Sequence, residues 1–192
     1  MLTKNDVPIL EFKDQESWEE WLSKNYDNQT GIWLRFYKKA SGVETINYAQ
    51  ALDVALCYGW IDGLVNKYDD KSYLQKFTPR RSKSIWSKIN IENVARLEKA
   101  GKMKDPGLAE VERAKADGRW QSAYDSPANM KIPEDFLKEL SKNKKAERFF
   151  QTLNRANLYA IAWRLQTAKK TETREKRMKE ILAMLNREEK FH

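Results

Sequence analysis

Arg80 and Arg81 stand side by side just past Pro79 and are followed by Ser82, Lys83, Ser84, Trp86, Ser87 and Lys88. Guanidinium forks take a carboxylate or phosphate through paired N–H bonds, and serine hydroxyls add further donors, so this grouping reads as an anion site. Upstream, Asp62 lies in the apolar run Trp60-Ile61-Asp62-Gly63. A carboxylate in such a setting needs a partner, because an unpaired buried charge is costly. Asp62 is therefore expected either to lock Arg80 or Arg81 or to contact a hydroxyl or amine of the ligand. Tyr58, Trp60 and Trp86 can supply an aromatic wall. The expected ligand-binding set is Tyr58, Trp60, Asp62, Arg80, Arg81, Ser84, Trp86 and Lys88, with no catalytic residue assigned. A purely structural Asp62–Arg80 or Asp62–Arg81 ion pair is the alternative.

The inventory excludes several chemistries. The only histidine is His192, so neither a Ser-His-Asp nor a Cys-His arrangement can be built, and no Cys/His set exists for zinc. The seven glycines are scattered, with no phosphate loop or dinucleotide fingerprint, and no cofactor or metal is expected. One cysteine, Cys57, rules out an internal disulfide and falls in an apolar helix, where an inert buried thiol is expected. Two alternatives stay open. Asp62 could act as a general base with Arg80 or Arg81 stabilising an oxyanion. A sequence pI near 9.4 with interleaved aromatics also fits nucleic-acid binding, although no recognised nucleic-acid signature occurs.

Charge is distributed unevenly along the chain. Residues 76–104 hold nine Lys and Arg against two Asp and Glu, a surplus of +7; residues 1–75 hold eight against twelve, and residues 105–192 nineteen against fourteen. The total is +8, so nearly the whole excess can be assigned to residues 76–104. No run approaches the length of apolar residues that a membrane span needs, and the N-terminus has no apolar leader; a cytoplasmic protein is expected.

The elements that must position these residues can be read from periodicity. Ile9–Phe12 is a strand, and Asp14 or Ser17 caps a helix through Lys24 with Trp18, Trp21 and Leu22 on one face. Residues 32–37 alternate, with Ile32, Leu34 and Phe36 against Trp33, Arg35 and Tyr37, as a strand does. Asn47 and Gln50 make a capping box for a helix that Gly59 stops, and Asp62-Gly63 marks a turn or bulge. Ser72–Thr78 is a strand ended by Pro79; Ser87 or Asn90 caps the next helix, and Asp105-Pro106 begins another. Residues 121–132 read as a linker. Four amphipathic helices follow, with Asn143 and Thr171 among their caps. The expected fold is α+β: a small mixed four-stranded sheet with packed helices over residues 1–120, then a helical C-terminal module over 133–192.

The segments ALCYGWIDG, FTPRRSKSIWSKIN and AKKTETREKRMKEIL resemble the YdeI/OmpD-associated (OmdA) family of bacteriocin-protection proteins over nearly the whole chain. The resemblance implies a role in stress tolerance and supplies no reaction or catalytic residue. With the residues above, it leads to an expected non-enzymatic protein that binds an anionic small molecule or a protein partner.

Overall fold

Alternating apolar and polar residues place Ile32–Tyr37 (β3) at the middle of a sheet. The computed structural model describes residues 2–192, which divide into a sheet unit (residues 2–86 with 90–123) and a helical unit (residues 87–89 with 124–192). The sheet contains Thr3–Lys4 (β1), Val7–Leu10 (β2), β3, Trp60–Lys67 (β4) and Ser72–Pro79 (β5), in the order β1-β2-β3-β5-β4. Only β2 and β3 run parallel; the other pairs are antiparallel. The sheet thus has five strands, not the expected four. The missed strand, β1, is too short to show any period, and it pairs with β2 across a turn in which Asn5 and Asp6 take positive φ of 52° and 61°. Both residue types tolerate that conformation.

One face of the sheet makes the core. Ile32, Leu34, Phe36 and Phe77 pack there with Trp18 and Leu22 of Gln15–Asn25 (α1) and with the apolar side of Tyr48–Cys57 (α2). Local chemistry sets both helix starts. Asp14 accepts from the Ser17 N–H at 2.8 Å, and that bond holds its carboxyl below the usual range. Asn47 and Gln50 cap each other reciprocally, at 3.0 and 3.1 Å. Trp18 is fully buried, donates to the Ala51 carbonyl at 3.1 Å and lies against Trp21 with ring centroids 5.5 Å apart. On the opposite face Ile9, Trp33 and Leu74 form a small second cluster. There Arg35 is held between the Tyr37 and Tyr68 rings and bonds Glu11 and Asp69.

The Asp62-Gly63 signal is a β-bulge. Asp62 opposes Phe77 and Val65 opposes Gln75, so β4 carries one extra residue, and the Gln75 amide donates to the Gly63 carbonyl at 2.8 Å. Lys88–Lys99 (α3) and Asp105–Ala116 (α4) complete the helices of this region. α4 approaches α2 so closely that Gly107 abuts the Cys57 carbonyl.

The helical unit holds Glu134–Leu140 (α5), Lys144–Phe150 (α6), Arg155–Gln166 (α7) and Thr171–Asn186 (α8), around Phe136, Leu140, Ile161, Leu165, Ile181 and Leu185. Asn143 caps α6 as expected, bonding the Lys145 and Ala146 N–H groups at 3.1 Å each. Thr171 does not cap α8: Lys170 has the extended backbone of the cap position, which makes Thr171 the first helical residue. No helix among the described residues is long and apolar enough to cross a membrane.

A Cβ at Gly107 would sit 2.3 Å from the Cys57 carbonyl oxygen and 2.7 Å from that of Leu56. Backbone on both sides leaves nothing cheap to move. Gly107→Ala is expected to destabilise the protein by about 1–3 kcal/mol, measurable as a lower urea midpoint with an unchanged denaturant slope.

Candidate functional site

The residues expected to bind a ligand do not gather into one cluster. Trp60 is fully buried in the core and donates to the Tyr26 carbonyl at 3.0 Å; its ring meets Trp18 and Trp21 edge-on at 6.4 and 6.2 Å. Tyr58, next to it, is also buried. Both are core side chains here, in a run from Val54 to Trp60 that is buried throughout. Asp62 is half-buried and accepts from the Tyr48 hydroxyl of α2 at 2.9 Å, a partner other than the arginine or ligand group expected. Asp62 opposes Phe77 at the start of the bulge, and its bond to Tyr48 sets it beside the first residue of α2. Lys88 belongs to the helical unit, where it pairs with Asp125 at 2.6 Å and holds that carboxyl below its usual range.

Arg80, Ser84 and Trp86 do come together. The Arg80 backbone N–H donates to Gly59 O at 2.9 Å, extending the β4–β5 pairing by one residue. Gly59 can offer that carbonyl because it takes φ +72°, left-handed backbone that glycine adopts freely. The Arg80 side chain then folds inward. It is 5% exposed, its guanidinium lies 3.5 Å from the centroid of Trp86, and Nη1 donates to the Ile85 carbonyl at 3.3 Å. A desolvated guanidinium on an indole face is a strong cation–π contact. Arg81 behaves oppositely: it is exposed, and it serves the loop through its backbone. Its N–H donates to Ser84 Oγ at 3.0 Å, and its carbonyl accepts from the Ser84 N–H at 2.9 Å. Ser84 thus closes a tight turn.

A second arginine, missed from sequence, completes the arrangement. Arg119 is 4% exposed; Nε bonds both Asp117 oxygens at 2.7 and 2.8 Å, and Nη1 donates to the Ser84 carbonyl at 2.9 Å. Trp120, the next residue, packs on Trp86 with centroids 4.9 Å apart. Two guanidiniums therefore hold the consecutive carbonyls of Ser84 and Ile85. Trp86 Nε1 and Arg119 Nη2 are buried without a hydrogen-bond partner among the described residues. The dipeptide Arg119-Trp120 after Gly118 was the available signal, because it repeats the Arg and Trp types of the loop. Buried donors, positive charge and an aromatic wall together suit a small oxyanion.

Cys57 is buried, and that burial pushes its thiol up to about 11, with Glu19 and Asp53 adding to the effect. It is not poised as a nucleophile. Among the described residues no group of three or more His, Cys, Asp or Glu is placed to hold a metal ion.

Comparison with known proteins divides the chain in two. Residues 10–110 match the family model described as "Domain of unknown function (DUF8412)", and residues 129–188 match the one described as "Bacteriocin-protection, YdeI or OmpD-Associated". The resemblance to the latter thus rests on the C-terminal part, which contains AKKTETREKRMKEIL. ALCYGWIDG and FTPRRSKSIWSKIN fall within the former. The tRNA 5-methylaminomethyl-2-thiouridine biosynthesis bifunctional protein MnmC of Campylobacter concisus (strain 13826) is 34% identical over 94 residues, which is 43% of this chain and 15% of that protein. The chain therefore spans a small part of that relative. No solved structure matches the chain.

Arg80 and Arg81 differ in burial enough to be told apart by stability. Arg80→Ala is expected to cost about 2 kcal/mol or more, by removing the stacked cation and opening space beside Trp86. Arg81→Ala should stay within about 0.5 kcal/mol of the parent. Denaturant melts of the two variants, each compared with the parent, check the contrast.

Proposed function

The chain belongs to the family whose model covers residues 10–110, and from that premise we propose that it is a non-enzymatic protein that binds a phosphate or carboxylate group at the 80–86 loop. The single observation carrying this reading is the pair of buried, unpartnered donors, Trp86 Nε1 and Arg119 Nη2, beside the buried guanidinium of Arg80. Donors left in a low-dielectric setting carry a desolvation penalty that an anion or water must offset. The local positive charge favours the anion. Asp117 neutralises part of Arg119, which suits a small group of one or two charges.

The C-terminal match to bacteriocin-protection proteins supports a role in stress tolerance. A net charge of +8 makes the protein a poor trap for cationic peptides, since like charges repel. Protection on this reading runs through an anionic ligand or a partner, without direct capture. The alternative enzyme reading, with Asp62 as base beside Arg80 or Arg81, is less favoured, because the bond found at Asp62 comes from Tyr48.

Isothermal titration of the whole protein with inorganic phosphate at low salt tests the proposal. Saturable one-site binding is expected, weakened about ten-fold, or 1.4 kcal/mol, in both Trp86→Phe and Arg119→Met. Trp86→Phe keeps an aromatic ring under Arg80 while removing the donor. Absence of binding by the parent, or equal binding by both folded variants, would refute it, as would a high-resolution crystal structure grown in phosphate that shows only water at these donors.

A second reading, nucleic-acid binding, is favoured by one observation. The helical unit carries 17 Lys and Arg against 10 Asp and Glu, a net +7, whereas the sheet unit carries 19 against 18. The similarity to a protein named for tRNA biosynthesis points the same way. This reading expects mixed RNA oligonucleotides to bind with an affinity that falls steeply as salt rises. No retention at low salt in a filter-binding assay would remove it.

A further inference from the structure

The helical unit contains a cleft that neither the sequence motifs nor the loop site explain. It lies between α7, α8 and the residues after α8 and encloses about 430 Å³. That volume lies within the range of small-molecule sites. Its apolar lining is Trp163, Ile181, Met184 and Phe191.

Two arginines face the same space. Arg164 lies 3.9 Å from the centroid of the Phe191 ring and donates to the Ala160 carbonyl at 3.2 Å. Arg177 donates to the Arg164 carbonyl at 2.7 Å and to Thr167 Oγ1 at 3.3 Å, which ties α8 to the end of α7. Both are half-buried, and among the described residues neither has a carboxylate within ion-pair distance. The other charges around the cleft are already committed. Arg187 is bound by both oxygens of Glu189 at 2.8 and 3.0 Å, and Glu180 faces Lys176 at 4.0 Å.

The wall carrying Phe191 is held in place from within. Asn157 is 1% exposed, and its Oδ1 accepts from the Phe191 and His192 N–H groups at 2.9 and 3.1 Å. Its amide donates to the His192 carbonyl at 3.3 Å and to Asn154 Oδ1 at 2.8 Å. A buried amide using both ends in this way fixes the backbone that presents the ring. The cleft is therefore built before any ligand arrives, which lowers the ordering cost of binding.

We propose that this cleft binds an amphipathic organic anion: an aromatic or branched apolar body bearing one phosphate or carboxylate group. The head lies between Arg164 and Arg177, whose guanidiniums have no carboxylate partner. The body covers Trp163, Met184, Ile181 and Phe191. Inorganic phosphate alone would leave that apolar lining wet, and a neutral aromatic would leave the two cations uncompensated. With Glu189 paired to Arg187 and Glu180 beside Lys176, Arg164 and Arg177 are the cations left to meet an anionic head, and the apolar lining favours a small molecule with an apolar body over a nucleic-acid backbone. The proposal rests on the helical unit alone and stands or falls separately from the loop site.

The test is isothermal titration of the whole protein with 1-naphthyl phosphate, 1-naphthol and inorganic phosphate. Naphthyl phosphate is expected to bind at least about ten-fold more tightly than either fragment. Arg164→Met and Phe191→Ala should each reduce that affinity about ten-fold or more, with thermal melts confirming that both variants fold. Arg164 is preferred to Arg177 for the test because its side chain, among the described residues, hydrogen-bonds within its own helix. Naphthyl phosphate binding no tighter than inorganic phosphate, or undiminished in both folded variants, would overturn the proposal. So would RNA binding that both variants weaken when naphthyl phosphate does not bind at all.

Discussion

A guanidinium 3.5 Å above the Trp86 ring organises the region that follows β5. Without it, residues 80–86 would be a basic, serine-rich surface loop with little to hold one conformation. With it, Arg80 enters the interior and Trp86 packs with both a cation and the Trp120 ring. The Ser84 and Ile85 carbonyls then lie within reach of two guanidiniums. The contact in turn needs the Gly59 carbonyl to receive the Arg80 N–H. Left-handed backbone at Gly59, the end of α2, the close approach of α4 and the loop are thus links in one chain of constraints.

The charge pattern shows how misleading a linear window can be. The surplus of positive residues between 76 and 104 stands out along the sequence, yet folding sets it beside the acidic residues of the first 75. Arg96 meets Asp53 at 2.6 Å and Lys104 meets Glu19 at 3.2 Å. The sheet unit ends nearly neutral, and the helical unit carries most of the net charge. Exposed pairs of this kind contribute little stability each. Their larger effect is on the field around the protein, which determines where an anion is drawn.

The two units answer the same physical problem differently. In the sheet unit positive charge is taken inside and supported by aromatic faces and backbone carbonyls, which leaves buried donors over. In the helical unit half-buried arginines stand at the edge of an apolar hollow whose wall is pinned by one buried asparagine. Burial sharpens the first arrangement for a compact oxyanion. Partial exposure and apolar area suit the second to a larger molecule.

Most of the fold was legible in the residues because its determinants are local. Helix caps such as Asp14, the Asn47–Gln50 box and Asn143 act within a few positions, and strand alternation at residues 32–37 reports a face directly. The two-residue strand β1 escaped because it has no room for a period. The sites were only partly readable. Sequence brought attention to Arg80, Ser84 and Trp86, and left Arg81 and Arg80 indistinguishable, since neighbours in a chain share composition while burial is decided residue by residue. It could not pair Asp62 with Tyr48, bring Arg119 to Ser84, or set Phe191 against Arg164, because each of these contacts joins residues far apart along the chain. Residue types by themselves determined which chemistries are absent and where helices and strands begin. Only tertiary packing decided which charges are compensated and which remain available to a ligand, because that depends on distances through space that no spacing along the chain encodes.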